Sequence, residues 1–337
     1  MRAIGKLKTR SPTSPCTMRN RSRCVLAQRS CCALTLWALV SVSSVNYGCA
    51  SRPIPPKGWS SWYAFYENVS DARVRHQADL LVSTRLRDAG YVYVNVDGGW
   101  EGYRDAEGNI HPNRNFPDMK ALGRYLHAMG FKFGIYSSPG PLTCDNLPGS
   151  EGYEQQDANT YASWGVDFLK YDWCSLYSVG PPNEAVYRKM RDALDRSGRP
   201  IVLSISEIGD GNVWEWGAQA GGIMWRTDHD LGWIQGWPNG MTAFHRVQAV
   251  AAHVATLSVF SSPGHYNDPD YLLTGIKRYC LGPYIPLSDC PAWSDDPMTI
   301  QQEREQLRLW KGLNCPLILS VDIGQLSPEE IALIRAY

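Results

Sequence analysis

Three features are missing from this 337-residue sequence, and each absence argues against a class of protein. No spacing of Cys and His matches a zinc site, which argues against a zinc-binding domain. No Gly-rich phosphate loop follows the first strand-like run, so a dinucleotide-binding sheet is disfavoured. Beyond the amino-terminal segment, no stretch of sequence is long and apolar enough to span a bilayer. Internal repeats and low-complexity tracts are also lacking, so we expect an ordinary globular domain.

Acidic residues are absent from positions 1–49, whereas the remaining chain has 25 basic against 33 acidic residues. An acidic body without a basic patch argues against nucleic acid or an anionic membrane as a partner. The basic start, a short hydrophobic run at 32–42 and small residues up to Cys49 predict a cleaved signal peptide over 1–49. We therefore expect a secreted or periplasmic protein with a linker at 50–56. Lipid anchoring at Cys49 is an alternative.

Strand-like and helix-like runs alternate eight times after the linker, from Lys57–Trp62 to Pro316–Asp322 and a last helix. The helical runs carry apolar stripes, and several end at a glycine, such as Gly90 or Gly165. Eight units of this kind predict parallel strands with helical crossovers, and eight is the number that closes a barrel. We predict a (β/α)8 barrel over 57–337. An open doubly wound sheet is the alternative.

Carboxylates stand at the ends of most of the predicted strands. In such a barrel these ends meet at one mouth, where active sites lie. A ring of acids there needs a ligand with hydroxyl donors, or a metal ion. Sugar hydroxyls fit, so we expect a carbohydrate substrate and no cofactor. The triplet Asp228-His229-Asp230 is the candidate for a metal site, but we expect no metal.

The stretch Val166–Cys174 concentrates this pattern, because Lys170 and Asp172 share one face of a strand. Two charges buried there are costly unless they form a site. Either Asp172 is a catalytic carboxylate held ionised by Lys170, or the two residues form a structural ion pair. Glycoside hydrolysis requires one ionised and one protonated carboxylate. Asp172 beside a cation suits the anion, and Asp230, flanked by aromatic and apolar residues, suits the acid, with Asp228 as its rival.

Several longer motifs follow one another through residues 57–330. They are Gly58-Trp59-Ser60-Ser61-Trp62, Asn113-Arg114-Asn115-Phe116-Pro117, Gly134-Ile135-Tyr136, Trp164-Gly165-Val166-Asp167, Lys170-Tyr171-Asp172-Trp173-Cys174, Trp225-Arg226 and Asn267-Asp268-Pro269-Asp270. Together and in this order, these motifs are specific for one family. The sequence resembles glycoside hydrolase family 27, the α-galactosidase and α-N-acetylgalactosaminidase family.

The resemblance implies a retaining mechanism with Asp172 as nucleophile and Asp230, four residues after Arg226, as general acid/base. It also implies a Cys144–Cys174 disulfide. For a retaining enzyme we expect the two catalytic carboxyl groups about 5–5.5 Å apart. The positions that the resemblance assigns to sugar binding are Trp62, Asp97, Tyr136, Lys170, Glu207, Arg226 and Asp270.

Three departures from the family pattern limit what the resemblance implies. The family usually has two consecutive aspartates where this chain has Asp97 and Gly98, and a lost charge-assisted hydrogen bond is worth roughly 1.5–3 kcal/mol. Residues 278–298 form an insertion, in which Cys280 and Cys290 could pair, either shaping the mouth or forming an inert surface loop. The family's carboxyl-terminal antiparallel β domain is missing before Tyr337, which suggests a truncated reading frame.

These observations favour an α-galactosidase that cleaves terminal α-linked galactose by double displacement. Because of Gly98, hydrolysis of another sugar is the alternative, of the isomalto-dextranase or β-L-arabinopyranosidase type. A carbohydrate-binding pseudoenzyme is a third hypothesis, disfavoured because Asp172, Lys170, Arg226 and Asp230 are all present. Glu207 argues against N-acetylgalactosamine, since the acetamido pocket of the family has a smaller residue there. The oligomeric state is not predicted.

Overall fold

The computed structural model describes residues 54–176, 182–233, 237–238, 240–280 and 293–337. The predicted signal peptide, including Cys49, and most of the linker lie outside the described residues. Most of the insertion at 278–298 also lies outside them, and with it the predicted pairing of Cys280 with Cys290.

Eight short parallel strands form one curled sheet. They are β1 (Lys57–Ser60), β2 (Tyr93–Asn95), β3 (Lys132–Ser137), β4 (Phe168–Asp172), β5 (Val202–Ser206), β6 (Gly222–Arg226), β7 (Tyr266–Asp268) and β8 (Leu317–Leu319). Consecutive strands pair side by side up to β7, and β8 pairs with β1. The seam between β7 and β8 is closed by Leu272, whose N–H donates to the carbonyl of Ile318 at 2.8 Å. The predicted (β/α)8 barrel is confirmed.

A helix follows each strand in the described part of the chain. These helices are α1 (Asp71–Ser83), α2 (Met119–Ala128), α3 (Glu154–Trp164), α4 (Glu184–Arg196), α5 (Val213–Trp216), α6 (Ala243–Thr256), α7 (Ile300–Gly312) and α8 (Pro328–Arg335). Side chains satisfy the free N–H groups at several helix starts. Asp118 and Asn183 cap α2 and α4, and Ser327 forms a capping box with Glu330 at α8.

The strands are shorter than predicted, and at β1 the difference affects the site. β1 ends at Ser60, and Trp62 begins a single helical turn, Trp62–Phe65. The chain turns there because Ser61 is held by β2, its N–H donating to the carbonyl of Asn95 at 3.1 Å. The Ser61 hydroxyl accepts the N–H of Asp97 at 2.9 Å. This turn moves Trp62 off the strand and over the mouth of the barrel.

An antiparallel hairpin between β2 and α2 was not predicted. Glu101–Arg104 pairs with Ile110–Pro112 around a turn in which Oδ1 of Asp105 accepts the N–H groups of Glu107 and Asn109. The turn signal Asp105-Ala-Glu-Gly108 was present in the sequence. It was missed because the strands on either side are only three or four residues long.

The chain has 13 Trp and 18 Tyr residues, and many of these aromatic side chains pack in the core. Trp59, Trp100, Trp173, Trp225 and Trp310 are all fully buried in the core between the sheet and the helices. Buried indoles need a partner for their N–H group, and that of Trp59 donates to the carbonyl of Val321 at 2.8 Å. Aromatic abundance by itself is therefore explained largely by packing and is not a signature of sugar binding.

A disulfide joins Cys144, in the loop after β3, to Cys174, two residues beyond β4, as predicted. Their Cα atoms are 5.0 Å apart, and 30 residues separate them in sequence. The bond fixes the loop after β3 to the carboxyl end of the strand that carries Asp172. Among the described residues, Cys315 is a buried cysteine without a disulfide partner.

None of the helices within the described ranges has both the length and the apolar character needed to cross a bilayer.

Replacing Cys144 and Cys174 together by Ser should lower the free energy of unfolding by about 2–4 kcal/mol, because the unfolded chain gains conformational freedom. Denaturant unfolding measured by tryptophan fluorescence checks this. Reductant should destabilise the wild-type protein by a similar amount and should leave the double variant unchanged. A wild-type unfolding midpoint that does not respond to reductant would contradict the prediction.

Candidate active site

One pocket at the carboxyl ends of the strands brings together six of the nine residues predicted to be catalytic or sugar-binding. Its volume is about 220 Å³. The side chains around it are Trp62, Asp97, Tyr136, Cys144, Lys170, Asp172 and Asp230. The other three predicted residues are Glu207, Arg226 and Asp270. They lie next to the pocket and interact electrostatically with its side chains or with one another. Elements from across the barrel thus converge on one small polar chamber.

Lys170, the first of two buried cations at the site, pairs with Asp97. Its Nζ atom lies 3.1 Å from both carboxylate oxygens of Asp97. The Ser60 hydroxyl donates to Oδ2 of Asp97 at 2.9 Å, the Tyr271 hydroxyl donates to the same oxygen at 2.5 Å, and the N–H of Gly98 donates to Oδ1 at 3.0 Å. Donors of the protein itself therefore surround the Asp97 carboxylate.

The sequence predicted that Lys170 keeps Asp172 ionised, and its charge does favour the ionised form, although the close partner of Lys170 is Asp97. Residues two apart on a strand are separated by about 6.6 Å along it, and the Lys170 side chain extends to Asp97 instead. Burial raises the pKa of Asp172, while the charge of Lys170 and a hydrogen bond from Ser206 act in the opposite direction. Burial alone would lower the pKa of Lys170, but the surrounding negative charge, mainly that of Asp97, raises it well above its usual range.

Arg226, the second buried cation, joins Asp230 to Asp270. Its Nη1 atom lies 2.9 Å from Oδ1 of Asp230 and 3.3 Å from Oδ1 of Asp270. The sequence predicted aromatic and apolar surroundings for Asp230. This is wrong, because the guanidinium of Arg226 contacts Asp230, which lies four positions further along the chain. Arg226 also lines a second pocket, together with Asp97 and Lys170.

Asp270 is held in an unusual backbone conformation. Its φ angle is 80°, a left-handed value that costs a non-glycine residue about 1–3 kcal/mol. The conformation lets Oδ2 accept the hydroxyl of Tyr63 at 2.8 Å and the N–H of Leu231 at 2.7 Å. Burial raises the pKa of Asp270 to about 6, against the opposing charge of Arg226. Asp270 thus connects its own loop and the segments that carry Tyr63 and Leu231 to the guanidinium of Arg226.

Asp228, the rival of Asp230, points elsewhere. Its Oδ2 lies 2.8 Å from Nδ1 of His253 on α6, and it does not line the pocket. The triplet Asp228-His229-Asp230 therefore does not converge on one point. Within the described residues, the one group of three ligand-type side chains close enough for a metal is Cys144, Asp172 and Cys174, and the disulfide already occupies both sulfur atoms.

Glu207, directly after β5, is buried, and neither carboxylate oxygen has a hydrogen-bond partner among the described residues. Burial raises its pKa well above the usual range, although the charge of Arg226 opposes this. A buried acceptor without a donor is rare in folded proteins and calls for an explanation. The position next to Arg226 and Asp172 makes Glu207 available to a ligand.

Sequence reasoning missed four residues that shape the site. Tyr271 and Ser60 donate to Asp97, and Tyr63 donates to Asp270. Asp145 faces Gly98, where a Cβ atom would lie 2.4 Å from Oδ2 of Asp145. All four lie within or beside residues that were recognised, but their partners are distant in sequence, and only the folded chain brings them together.

A (β/α)8 barrel whose mouth holds paired carboxylates among aromatic and cationic side chains has the architecture of a glycoside hydrolase. Within that class, the chain belongs to glycoside hydrolase family 27, because the family described as Alpha galactosidase A matches residues 54–282.

The comparisons with known proteins agree on this family. The chain is 38% identical over 284 residues to Alpha-galactosidase A of Cellvibrio japonicus, covering 83% of this chain and 65% of that protein. It is 38% identical over 275 residues to an alpha-galactosidase of Cyamopsis tetragonoloba, covering 80% of this chain and 59% of that protein. A solved alpha-galactosidase from Saccharomyces cerevisiae superposes with a TM-score of 0.71 at 27% identity, covering 83% of this chain and 62% of the other. The chain thus spans less than two thirds of the length of these three relatives.

The pKa of Asp145 generates a prediction about stability and pH. Burial raises this pKa to about 7, helped by the charges of Glu67, Asp97 and Asp172 and opposed by Lys170. A raised pKa in the folded state means that the contribution of Asp145 to stability is fully present below about pH 4 and is lost as the pH rises to about 7. Asp145→Asn should therefore gain stability relative to wild type as the pH increases from 5 to 7, and the gain should level off above that range.

Denaturant unfolding at pH 5, 6, 7 and 8 measures this difference. The control is Asp105→Asn, because hydrogen bonds from His111 and Asn109 lower the pKa of Asp105 to about 2, below the measured range. A stability difference between wild type and Asp145→Asn that stays constant from pH 5 to 8 would contradict the prediction.

Proposed function

We propose that this protein is a retaining α-galactosidase that cleaves terminal α-linked galactose from oligo- or polysaccharides. The observation that carries the proposal is the position of Asp172 and Asp230, which line the same pocket of about 220 Å³ at the barrel mouth. Membership of family 27 and the similarity to alpha-galactosidases support the choice of sugar.

In the proposed mechanism, Asp172 attacks the anomeric carbon and Asp230 protonates the leaving oxygen. The resulting glycosyl-enzyme is then hydrolysed by water, with Asp230 acting as base. The two carboxylates repel one another, since the charge of Asp230 raises the pKa of Asp172. Such repulsion favours a pair that holds one proton, and the first step requires this proton to be on Asp230.

Seven residues are proposed to bind the sugar: Trp62, Asp97, Tyr136, Lys170, Glu207, Arg226 and Asp270. Glu207 has the strongest support from the structure, because both its oxygens are buried and lack a hydrogen-bond partner within the described chain. A galactose hydroxyl would supply the donor. A bulkier acetamido group would meet this carboxylate, which supports a preference for galactose over N-acetylgalactosamine.

We also propose that the protein acts outside the cytoplasm, after removal of the segment 1–49. The Cys144–Cys174 disulfide supports this location, because such bonds persist in oxidising compartments. The glycine at position 98 keeps a second candidate open, a family member that hydrolyses a different sugar such as a β-L-arabinopyranoside.

The sugar is tested with nitrophenyl glycosides of α-galactose, α-N-acetylgalactosamine, α-glucose and β-L-arabinopyranose. We expect α-galactoside to give the highest kcat/KM, and Asp172→Asn to reduce turnover to background while the protein remains folded. Faster turnover of another glycoside would select the second candidate. No turnover of any of them, nor of dextran or galactomannan, would reject the enzymatic function.

The roles of the two carboxylates are tested with azide and an α-galactoside that has an activated leaving group. In Asp172→Ala, azide should attack the substrate directly and form the inverted β-galactosyl azide. In Asp230→Ala, azide should attack the glycosyl-enzyme and form the α-galactosyl azide, because two inversions retain configuration. Asp228→Ala is the matched control, and formation of the α-azide by this variant rather than by Asp230→Ala would transfer the acid/base role to Asp228.

A further inference from the structure

The donors around Asp97 leave little acceptor capacity for a substrate. A carboxylate has about four acceptor positions. Ser60, Tyr271, Gly98 and Lys170 all donate to this one at 2.5–3.1 Å. For a sugar hydroxyl to bind strongly here, it would have to displace one of these donors. Asp97 therefore also holds Lys170 in place, and a sugar hydroxyl that binds Asp97 must compete with these donors.

Asp145 has the opposite arrangement. Its Oδ1 atom is buried and has no hydrogen-bond partner in the described part of the chain. Its Oδ2 atom lies against Gly98, and a Cβ atom at position 98 would be 2.4 Å from it and 3.5 Å from Cε1 of Tyr136. The Asp145 carboxylate thus occupies the volume that a side chain at position 98 would need, directly beside Asp97.

The loop that carries Asp145 is rigidly built. Cys144 is bonded to Cys174 and lines the pocket. The turn closes on itself, with the N–H of Thr143 donating to the carbonyl of Leu147 at 2.7 Å and the N–H of Leu147 donating to the Thr143 hydroxyl at 3.1 Å. A carboxylate fixed in this way does not need to be ordered by the ligand, which favours binding.

We propose that Asp145 is a specificity-determining residue of this pocket, whose free carboxylate oxygen accepts a hydrogen bond from a hydroxyl group of the terminal sugar. Gly98 contributes to the same specificity, because only a residue without a side chain leaves room for the Asp145 carboxylate. The inference rests on the proposed glycosidase function and deepens it, since it assigns a contact to a residue for which the family resemblance implied no role. Asp145 also lies near the pocket lining, because its charge raises the pKa of Tyr136, and Tyr136 lines the pocket.

The test compares wild type, Asp145→Ala and Asp145→Asn on the nitrophenyl glycoside that wild type hydrolyses fastest and on its analogues lacking single hydroxyl groups. We expect Asp145→Ala to lower kcat/KM about 10- to 100-fold on the parent substrate, the effect of losing a hydrogen bond to a charged group. Glu151→Gln, an exposed carboxylate in the same loop, is the control and should leave kcat/KM unchanged.

The deoxy substrates separate a sugar contact from a structural role. For one analogue, wild type should lose about as much kcat/KM as Asp145→Ala loses on the parent, and Asp145→Ala should lose little more. Equal penalties for every missing hydroxyl in wild type and in Asp145→Ala would overturn the inference.

A second pair of variants tests the role of Gly98. Gly98→Ala should lower kcat/KM in the wild-type background, because its methyl group displaces the Asp145 carboxylate, and should have a much smaller effect when combined with Asp145→Gly. An equal loss in both backgrounds would overturn this part of the inference.

Failure of the proposed function is recognised separately, because wild type would then hydrolyse none of the glycosides. In that case the affinity for free galactose, measured by calorimetry, decides the inference. Weaker binding to Asp145→Ala than to wild type supports it, and equal or undetectable binding to both overturns it.

Discussion

The site depends on the balance of buried charge at the mouth of the barrel. Two cations, Lys170 and Arg226, stand among the carboxylates of residues 97, 145, 172, 207, 230 and 270. Removing one partner of a buried ion pair typically costs about 3–5 kcal/mol, because the remaining charge is left without compensation in a poorly solvated place. The cations are therefore structural as well as electrostatic requirements. Burial raises the pKa values of the carboxyl groups at this site, and repulsion between them adds to the effect.

The remaining features of the site keep this charge balance in place. Lys170 contacts both carboxylate oxygens of Asp97, and Arg226 contacts both Asp230 and Asp270. The close partners of the two cations are therefore carboxylates other than Asp172. In the proposed mechanism, a direct ion pair would stabilise the Asp172 anion that must attack, so the pairing of the cations with other carboxylates favours its reactivity. The strained backbone of Asp270 and the Cys144–Cys174 disulfide next to Asp145 both hold groups that charge repulsion would otherwise push apart.

The barrel could be predicted from the sequence, because eight alternations of strand and helix leave few other topologies. The positions of most site residues followed as well, since all strands end at the same mouth. The partners of the charges could not be predicted: Lys170 and Asp172 are neighbours in sequence, yet the long Lys170 side chain pairs across the sheet with Asp97. Tyr271 and Asp145 were overlooked for the same reason, because their contacts join loops that are distant along the chain. A glycine at position 98 was interpreted as a loss, and only the folded arrangement shows that another carboxylate lies against it.

The three residues Asp270, Tyr271 and Leu272 have a consequence for how the barrel moves. Asp270 binds Arg226, Tyr271 binds Asp97, and Leu272 makes the bridge that closes the seam between β7 and β8. The same short segment therefore carries two of the side chains that hold the charges at the mouth and the bridge that closes the ring. A change that moves this segment would disturb the charge pairs and the seam together.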